Sequence, residues 1–216
     1  SYPAQTPADS DEFNSLDLGT QWQWHANYKD VYGFTNPYGF MRLYIYRQDI
    51  KNLWEAPNLL LQKFMAESFT ATAKIKFSSK GQDERVGLIV MGRDYSYLSL
   101  LRKENGFLLE QSICKEAEQQ TPETQQTLAE LQADREVEGG NIPSVVKEIY
   151  LQVKVEKGGL CTFSYSFDGK HFIKAGTPFQ AREGKWIGAK LGFFATCPNL
   201  KGGEGWVDID WFRITP

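Results

Sequence analysis

Paired carboxylates are the residues of this 216-residue chain whose types could do acid–base chemistry. Opening a glycosidic bond with inversion needs two carboxyls on opposite sides of a sugar, about 6.5–9.5 Å apart, with one held protonated by its surroundings. Asp83-Glu84 and Asp208/Asp210 supply pairs of the right type. The first reads as a turn. The second lies on one face of a strand, because residues two apart project alike. Neither pair implies a cleft, so both read as solvated or structural and no catalytic residue is assigned. His25 and His171 are too few for a multi-histidine metal centre. Cys114, Cys161 and Cys197 are odd in number and lack metal-type spacing. Buried free thiols are expected, with one bridge left open as an alternative.

Aromatic residues offer a second kind of chemistry. Sugars present C–H faces that stack on flat rings, while their hydroxyls need polar neighbours. Trp22, Trp24, Trp54, Tyr28, Tyr32, Phe34 and Tyr38 crowd the first quarter beside His25, Asn27 and Asn36. Trp22 and Trp24 share a strand face and are expected to pack in the core. The stretch from Tyr28 to Tyr38, with Gly33 and Asn36-Pro37, is the better candidate for an exposed contact, carried by Tyr28, Tyr32, Phe34 and Tyr38.

The elements that must position these residues are strands. Period-two alternation recurs at 40–46, 69–77 and 149–156. Ser79-Lys80-Gly81, Glu156 to Gly159 and Phe167 to Lys170 are turn sequences in which glycine supplies positive φ, so successive strands are expected to run antiparallel. The runs 85–92 and 187–194 are more continuously apolar, as for strands covered on both faces. An all-β, two-sheet antiparallel sandwich follows. Residues 116–140 are the exception: Thr124 to Arg135 fits a turn or two of helix, whereas Thr127 to Leu131 also fits an edge strand. The segments 10–15 and 205–214 read as two halves of one closing element. Residues 9–216 are then a single domain, and residues 1–8, with Pro3 and Pro7, a linker from something upstream.

A net charge of −3 with interspersed Lys and Glu gives no basic stripe, which argues against nucleic acid. Apolar runs such as 86–91 fall far short of the roughly 20 residues of a membrane-spanning helix, so no membrane insertion is expected.

Five strings in order, Leu18 to Asn27, Pro57 to Phe64, Val86 to Leu98, Phe163 to Phe172 and Trp186 to Gly192, together resemble one family. They are similar to the C-terminal concanavalin A-like β-sandwich (jelly-roll) domain of family 43 glycoside hydrolases, of β-xylosidase and α-L-arabinofuranosidase type. The similarity runs from about Asp9 to Thr215 and matches poorly at 116–140.

That resemblance implies a partner. Catalysis in the family belongs to an N-terminal five-bladed propeller in the same polypeptide, to which nothing here corresponds. The expected role is a noncatalytic accessory domain that packs on the propeller and shapes a pocket for xylan- or arabinan-type polysaccharides. The Tyr28 to Tyr38 loop would then meet either sugar or propeller. Related jelly rolls hold a structural calcium between an N-terminal Asp-Glu-Phe-Asn-like segment and an Asp of the closing strand, positions occupied here by Glu12 and Asp210. The alternative is that both carboxylates bond Ser, Arg or backbone groups. The parent family implies an extracytoplasmic, periplasmic or secreted, location. Two other functions stay open: an independent carbohydrate-binding module, with exposed aromatics and affinity for oligosaccharides, and a self-sufficient glycosidase, which requires a groove with paired acids of perturbed pKa.

Overall fold

The computed structural model describes residues 10–15, 17–25, 33–36, 39–134, 143–183, 188–198 and 201–216, with only the backbone at 34–36. The described strands are β1 (Gln23–Trp24), β2 (Gly33–Asn36), β3 (Phe40–Tyr44), β4 (Tyr46–Arg47), β5 (Leu60–Lys63), β6 (Phe69–Ser79), β7 (Arg85–Met91) and β8 (Tyr95–Lys103). They continue with β9 (Gly106–Cys114), β10 (Thr124–Leu131), β11 (Ser144–Val155), β12 (Leu160–Ser166), β13 (Ile173–Gln180), β14 (Lys190–Cys197) and β15 (Trp206–Thr215). Two sheets form. One runs β1-β5-β14-β7-β8-β9-β10, with β4 added to β14, and the other runs β13-β12-β11-β6-β15-β3-β2. The all-β sandwich of concanavalin A-like type is therefore what the chain adopts.

Alternation decides which face each strand buries. Along β6, Phe69, Ala71, Ala73, Ile75 and Phe77 are buried while Thr70, Thr72, Lys74 and Lys76 reach the surface. This is the pattern of a sheet with one wet face. Those side chains meet Val86, Leu88, Leu98, Leu100, Leu191 and Phe193 of the opposite sheet in a single core. The pairing is antiparallel throughout except between β4 and β14, which run parallel through Tyr46 and Thr196.

The continuously buried strands have a different cause. Beyond the shared core, Ile89, Met91, Tyr95, Tyr97, Cys114 and Phe194 build a second apolar cluster on the outer face of the larger sheet. Leu53 and Ala56, in and just after the 3-10 turn Leu53–Glu55, and Ala117, in the turn Ala117–Gln119, cover it. That part of the outer face is thus roofed.

One open alternative is decided and one expectation needs correction. Among the described residues the 116–140 excursion contains no α-helix, and Thr124 to Leu131 is an edge strand on β9, as the second reading of Thr127 to Leu131 allows. Its Leu128, Ala129 and Leu131 are half-buried against the core, so tertiary packing outweighed local helical spacing. In the turn at 79–84, Gly81 does not carry the positive φ; Asp83 does, at 66°. Glycine is needed at 81 because a Cβ there would stand 2.5 Å from the Gly202 Cα. At Gly158, Gly159 and Gly169 the positive φ falls on glycine as the sequence implies.

Candidate functional site

The two ends meet as the sequence suggests. Asp11 and Phe212 form an antiparallel bridge with N···O distances of 2.7 and 2.8 Å. Ser10 adds a side-chain bond, its Oγ accepting from the Ile214 N–H at 2.8 Å. Trp22 seals this closure from inside. It is 6% exposed, packs on Phe13, Phe193 and Phe212 with centroids 5.4–5.9 Å away, and donates its indole N–H to Asp11 Oδ2 at 2.9 Å. Trp24 lies half-buried against the same core.

The carboxylates of the closing strand face cations. Asp208 takes a two-pronged bond from Arg42, at 2.7 and 3.0 Å. Asp210 pairs with Lys74 at 3.3 Å, and Glu12 takes Arg213 Nε and Nη2 at 2.7 and 3.1 Å. The Arg213 pKa is raised by the Glu12 bond first and also by the charge of Asp210. Glu12 and Asp210 are thus each already paired with a cation of the chain itself, Arg213 and Lys74. Among the described residues no group of three or more His, Cys, Asp or Glu side chains converges. As these side chains stand they do not fit a calcium ion.

The aromatic candidates divide. Tyr28, Tyr32 and Tyr38 lie outside the described residues; Phe34 contributes its backbone to β2, opposite Arg42, and its side chain is also outside them. Trp54 meets His25 edge-on at 5.1 Å. His25 Nε2 lies 2.9 Å from the Trp54 carbonyl oxygen, and burial holds its pKa below the ordinary histidine value.

Asp83 and Glu84 part company. Asp83 pairs with Lys103 at 3.0 Å, whereas Glu84 is wholly buried and accepts from Ser79 Oγ (3.2 Å) and from the N–H groups of Lys80 (3.1 Å) and Gly203 (2.8 Å). Glu84 therefore ties a hairpin to the 201–205 loop and is no acid–base partner of Asp83. The carboxyls that depart from their usual range all go down. Burial would raise Asp94, but Arg182, the Glu116 N–H and the Lys115 charge outweigh it. Glu148 is lowered by Tyr150 and Lys74, and Asp168 by His171 and backbone N–H groups. None of these three is a held-protonated acid.

One arrangement escaped the sequence. Beside the roofed cluster lies a cleft of about 570 Å³, lined by residues 48–53 and by Pro122, Glu123, Gln125 and Pro198. Arg85 and Tyr97 are in its lining, the guanidinium 5.5 Å from the ring centroid, and Arg85 Nη1 reaches two residues outside that lining, donating to Ser99 Oγ at 2.8 Å and lying 3.0 Å from Glu110 Oε1. Glu110 Oε2 accepts from Thr127 Oγ1 at 2.8 Å. Glu123 accepts from the Tyr95 hydroxyl and, at 2.6 Å, from the Tyr97 hydroxyl. Burial first, and then the Glu123 charge, push both phenols well above their usual range, so they remain donors. Asn52 fixes the facing wall, donating to the carbonyls of Ala117 (2.8 Å) and Thr121 (3.0 Å). These residues have no common motif in sequence; the signal available was Tyr95-Ser96-Tyr97, two tyrosines on one strand face.

Comparison with known proteins places this architecture. The family model described as the β-xylosidase C-terminal concanavalin A-like domain matches residues 10–215. A β-xylosidase of Formosa agariphila is 27% identical over 98% of this chain, which spans only 36% of that protein. The solved xylan β-1,4-xylosidase of Bacillus halodurans superposes with a TM-score of 0.74 at 15% identity, over 100% of this chain and 40% of its own. A family 43 glycoside hydrolase engineered for both endo-xylanase and exo-arabinofuranosidase activity gives a TM-score of 0.78 at 17% identity, over 100% of this chain and 42% of its own. At such identities the solved structures speak for the fold alone.

Proposed function

This chain belongs to the β-xylosidase C-terminal concanavalin A-like domain family, and on that footing we propose that it serves as the noncatalytic accessory domain of a family 43 glycoside hydrolase acting on xylan- or arabinan-type polysaccharides. The observation that carries the reading is one of extent: the match fills this chain yet occupies only 36% of the Formosa agariphila β-xylosidase. The remainder of such a protein has ample length for a separate catalytic domain, here taken to be an N-terminal propeller of the same polypeptide.

The mechanism is positional. A rigid sandwich buries apolar area against its neighbour and holds loops at the mouth of a substrate pocket without touching the reacting atoms. Tyr28, Tyr32, Phe34 and Tyr38 are the proposed contact segment. Its root is anchored, since β2 pairs with β3 from Gly33↔Leu43 to Asn36↔Phe40. A polysaccharide-degrading parent belongs outside the cytoplasm, and an extracytoplasmic location is part of the proposal. Among the described residues no helix is long and apolar enough to cross a membrane.

The test is a comparison of the longer polypeptide with and without residues 10–215, by xylosidase and arabinofuranosidase kinetics and by thermal unfolding. Loss of the sandwich is expected to lower both kcat/KM and the unfolding temperature of the catalytic part. Unchanged kinetics and unchanged unfolding would contradict the proposal.

A further inference from the structure

The cleft on the outer face of the larger sheet carries an inference of its own. We infer that it is a binding site for an uncharged oligosaccharide, formed by this domain without a contribution from another.

An arginine in the lining is costly to bury unless it is used. Arg85, which lines the cleft, has a side chain only 12% exposed, and its two partners outside the lining are as enclosed, Ser99 wholly buried and Glu110 8% exposed. A nearly buried ion pair contributes little net stability compared with apolar residues of the same volume. Farther along the same strands, the outward positions are apolar: Ile89 and Met91 on β7, Phe194 on β14. The polar residues are concentrated where the roof stops. Packing alone would have continued the apolar pattern.

The second argument is electrostatic. The lining contains Lys51, Arg85 and Lys103 against Asp49, Asp83 and Glu123, three charges of each sign. Within the lining, Lys103 is paired with Asp83 at 3.0 Å. A phosphate or a polycarboxylate meets no excess of positive charge here, and a cation no excess of negative charge. A neutral ligand rich in hydroxyls suits alternating donors and acceptors. Arg85 has five N–H donors, and among the described residues its hydrogen bond to Ser99 and its ion pair with Glu110 both run through Nη1. Leu101, Ile50 and Pro198 supply apolar surface for C–H faces.

The third argument is preorganisation. Glu123 is clamped by two phenols and Asn52 by two carbonyls, so the walls are set before a ligand arrives and little ordering opposes binding. At about 570 Å³ the space lies in the ordinary range for small-molecule sites. The choice of a pentose chain as ligand rests on the proposed parent activity; the neutrality of the ligand does not.

The experiment is a titration of the 216-residue chain with xylotriose, arabinotriose and, as a charged control, tri-galacturonate, followed by amide NMR shifts and calorimetry. A neutral trisaccharide is expected to move the amides of Lys51, Leu101 and Gln125 saturably. Substitution of Arg85 strands Glu110 and risks the fold, so the exposed Gln125→Ala and Lys51→Ala carry the test. Each is expected to weaken binding about threefold to tenfold, as for one lost hydrogen bond, with near-ultraviolet circular dichroism unchanged. Three results overturn the inference: no neutral sugar binds, the charged control binds equally well, or the shifts fall outside the cleft and ignore both variants. Each leaves the accessory role standing, because that role is read from the kinetics and unfolding of the longer polypeptide.

Discussion

Asp94 shows how much a single side chain can hold. Its carboxylate is wholly buried, takes Arg182 Nε and Nη2 at 2.5 and 2.6 Å, and accepts the Glu116 N–H at 2.9 Å. One residue thus joins the β7–β8 turn, the segment after β9 and the segment after β13. Breaking a buried pair costs about 3–5 kcal/mol. Arg182 keeps its side chain 42% exposed, so Asp94→Asn is expected to cost less, about 2–3 kcal/mol by denaturant unfolding. The pH dependence has a definite sign. Despite the opposing pull of burial, the folded carboxyl lies below its ordinary value. Its stabilisation is therefore complete above the unfolded value of about 3.9 and is lost as pH falls through the native one. Asp94→Asn is expected to flatten that part of the acid limb, and an unaltered acid limb would count against the assignment. The string Gly92-Arg93-Asp94-Tyr95 marked a turn in the sequence, but its partner Arg182 lies 88 residues away. No local pattern pairs two such residues. Glu84 was likewise legible only as an acidic turn residue, since its burial depends on glycines 202 and 205 closing over it from the far end of the chain.

Strands were the most legible elements, because period-two alternation is a direct imprint of a half-buried sheet. Burial on β6 follows the alternation from Phe69 to Phe77, and β7 and β14 are covered on both faces as their apolar runs imply. What covers them was not legible. The roof is two short 3-10 turns, Leu53–Glu55 and Ala117–Gln119, and three residues are too few to carry a period. The β10 edge strand was ambiguous for a related reason: Leu128 and Leu131 satisfy helical spacing, while a register shift between Thr127 and Ala129 breaks the strand alternation. Close sheet packing gives a sharper prediction. A Cβ on Gly192 would stand 1.9 Å from the Leu60 carbonyl oxygen and 2.9 Å from the Leu61 Cα, both backbone atoms of the neighbouring strand. Gly192→Ala must push β5 from β14 and is expected to cost about 2–3 kcal/mol in thermal or denaturant unfolding. A variant as stable as the parent chain would show that β5 and β14 are not so closely apposed.

For the whole molecule, the decisive geometry is closure. Ser10 and Asp11 bond the last strand, Trp22 fills the space beneath, and Glu12 with Arg213 stitches the outside. The termini were legible as partners because a short acidic turn and a strand of alternating residues are complementary in kind. The cation between them was not, since sequence does not distinguish a carboxylate bonded to arginine from one awaiting calcium. The candidate site divides in the same way. Aromatic crowding in the first quarter pointed to Tyr28, Tyr32, Phe34 and Tyr38, which the described residues reach only through the backbone of β2. The polar cleft was invisible because its parts come from separate strands and become neighbours only when the sheet forms. The domain family recurs within a longer β-xylosidase, of which this chain spans 36%. The most direct measurement is turnover of aryl β-xyloside and aryl α-L-arabinofuranoside by the purified 216-residue chain, beside the longer polypeptide. The account predicts hydrolysis by the longer polypeptide and none by the chain alone. Hydrolysis by the chain alone, abolished by substituting one of its own carboxylates, would contradict it.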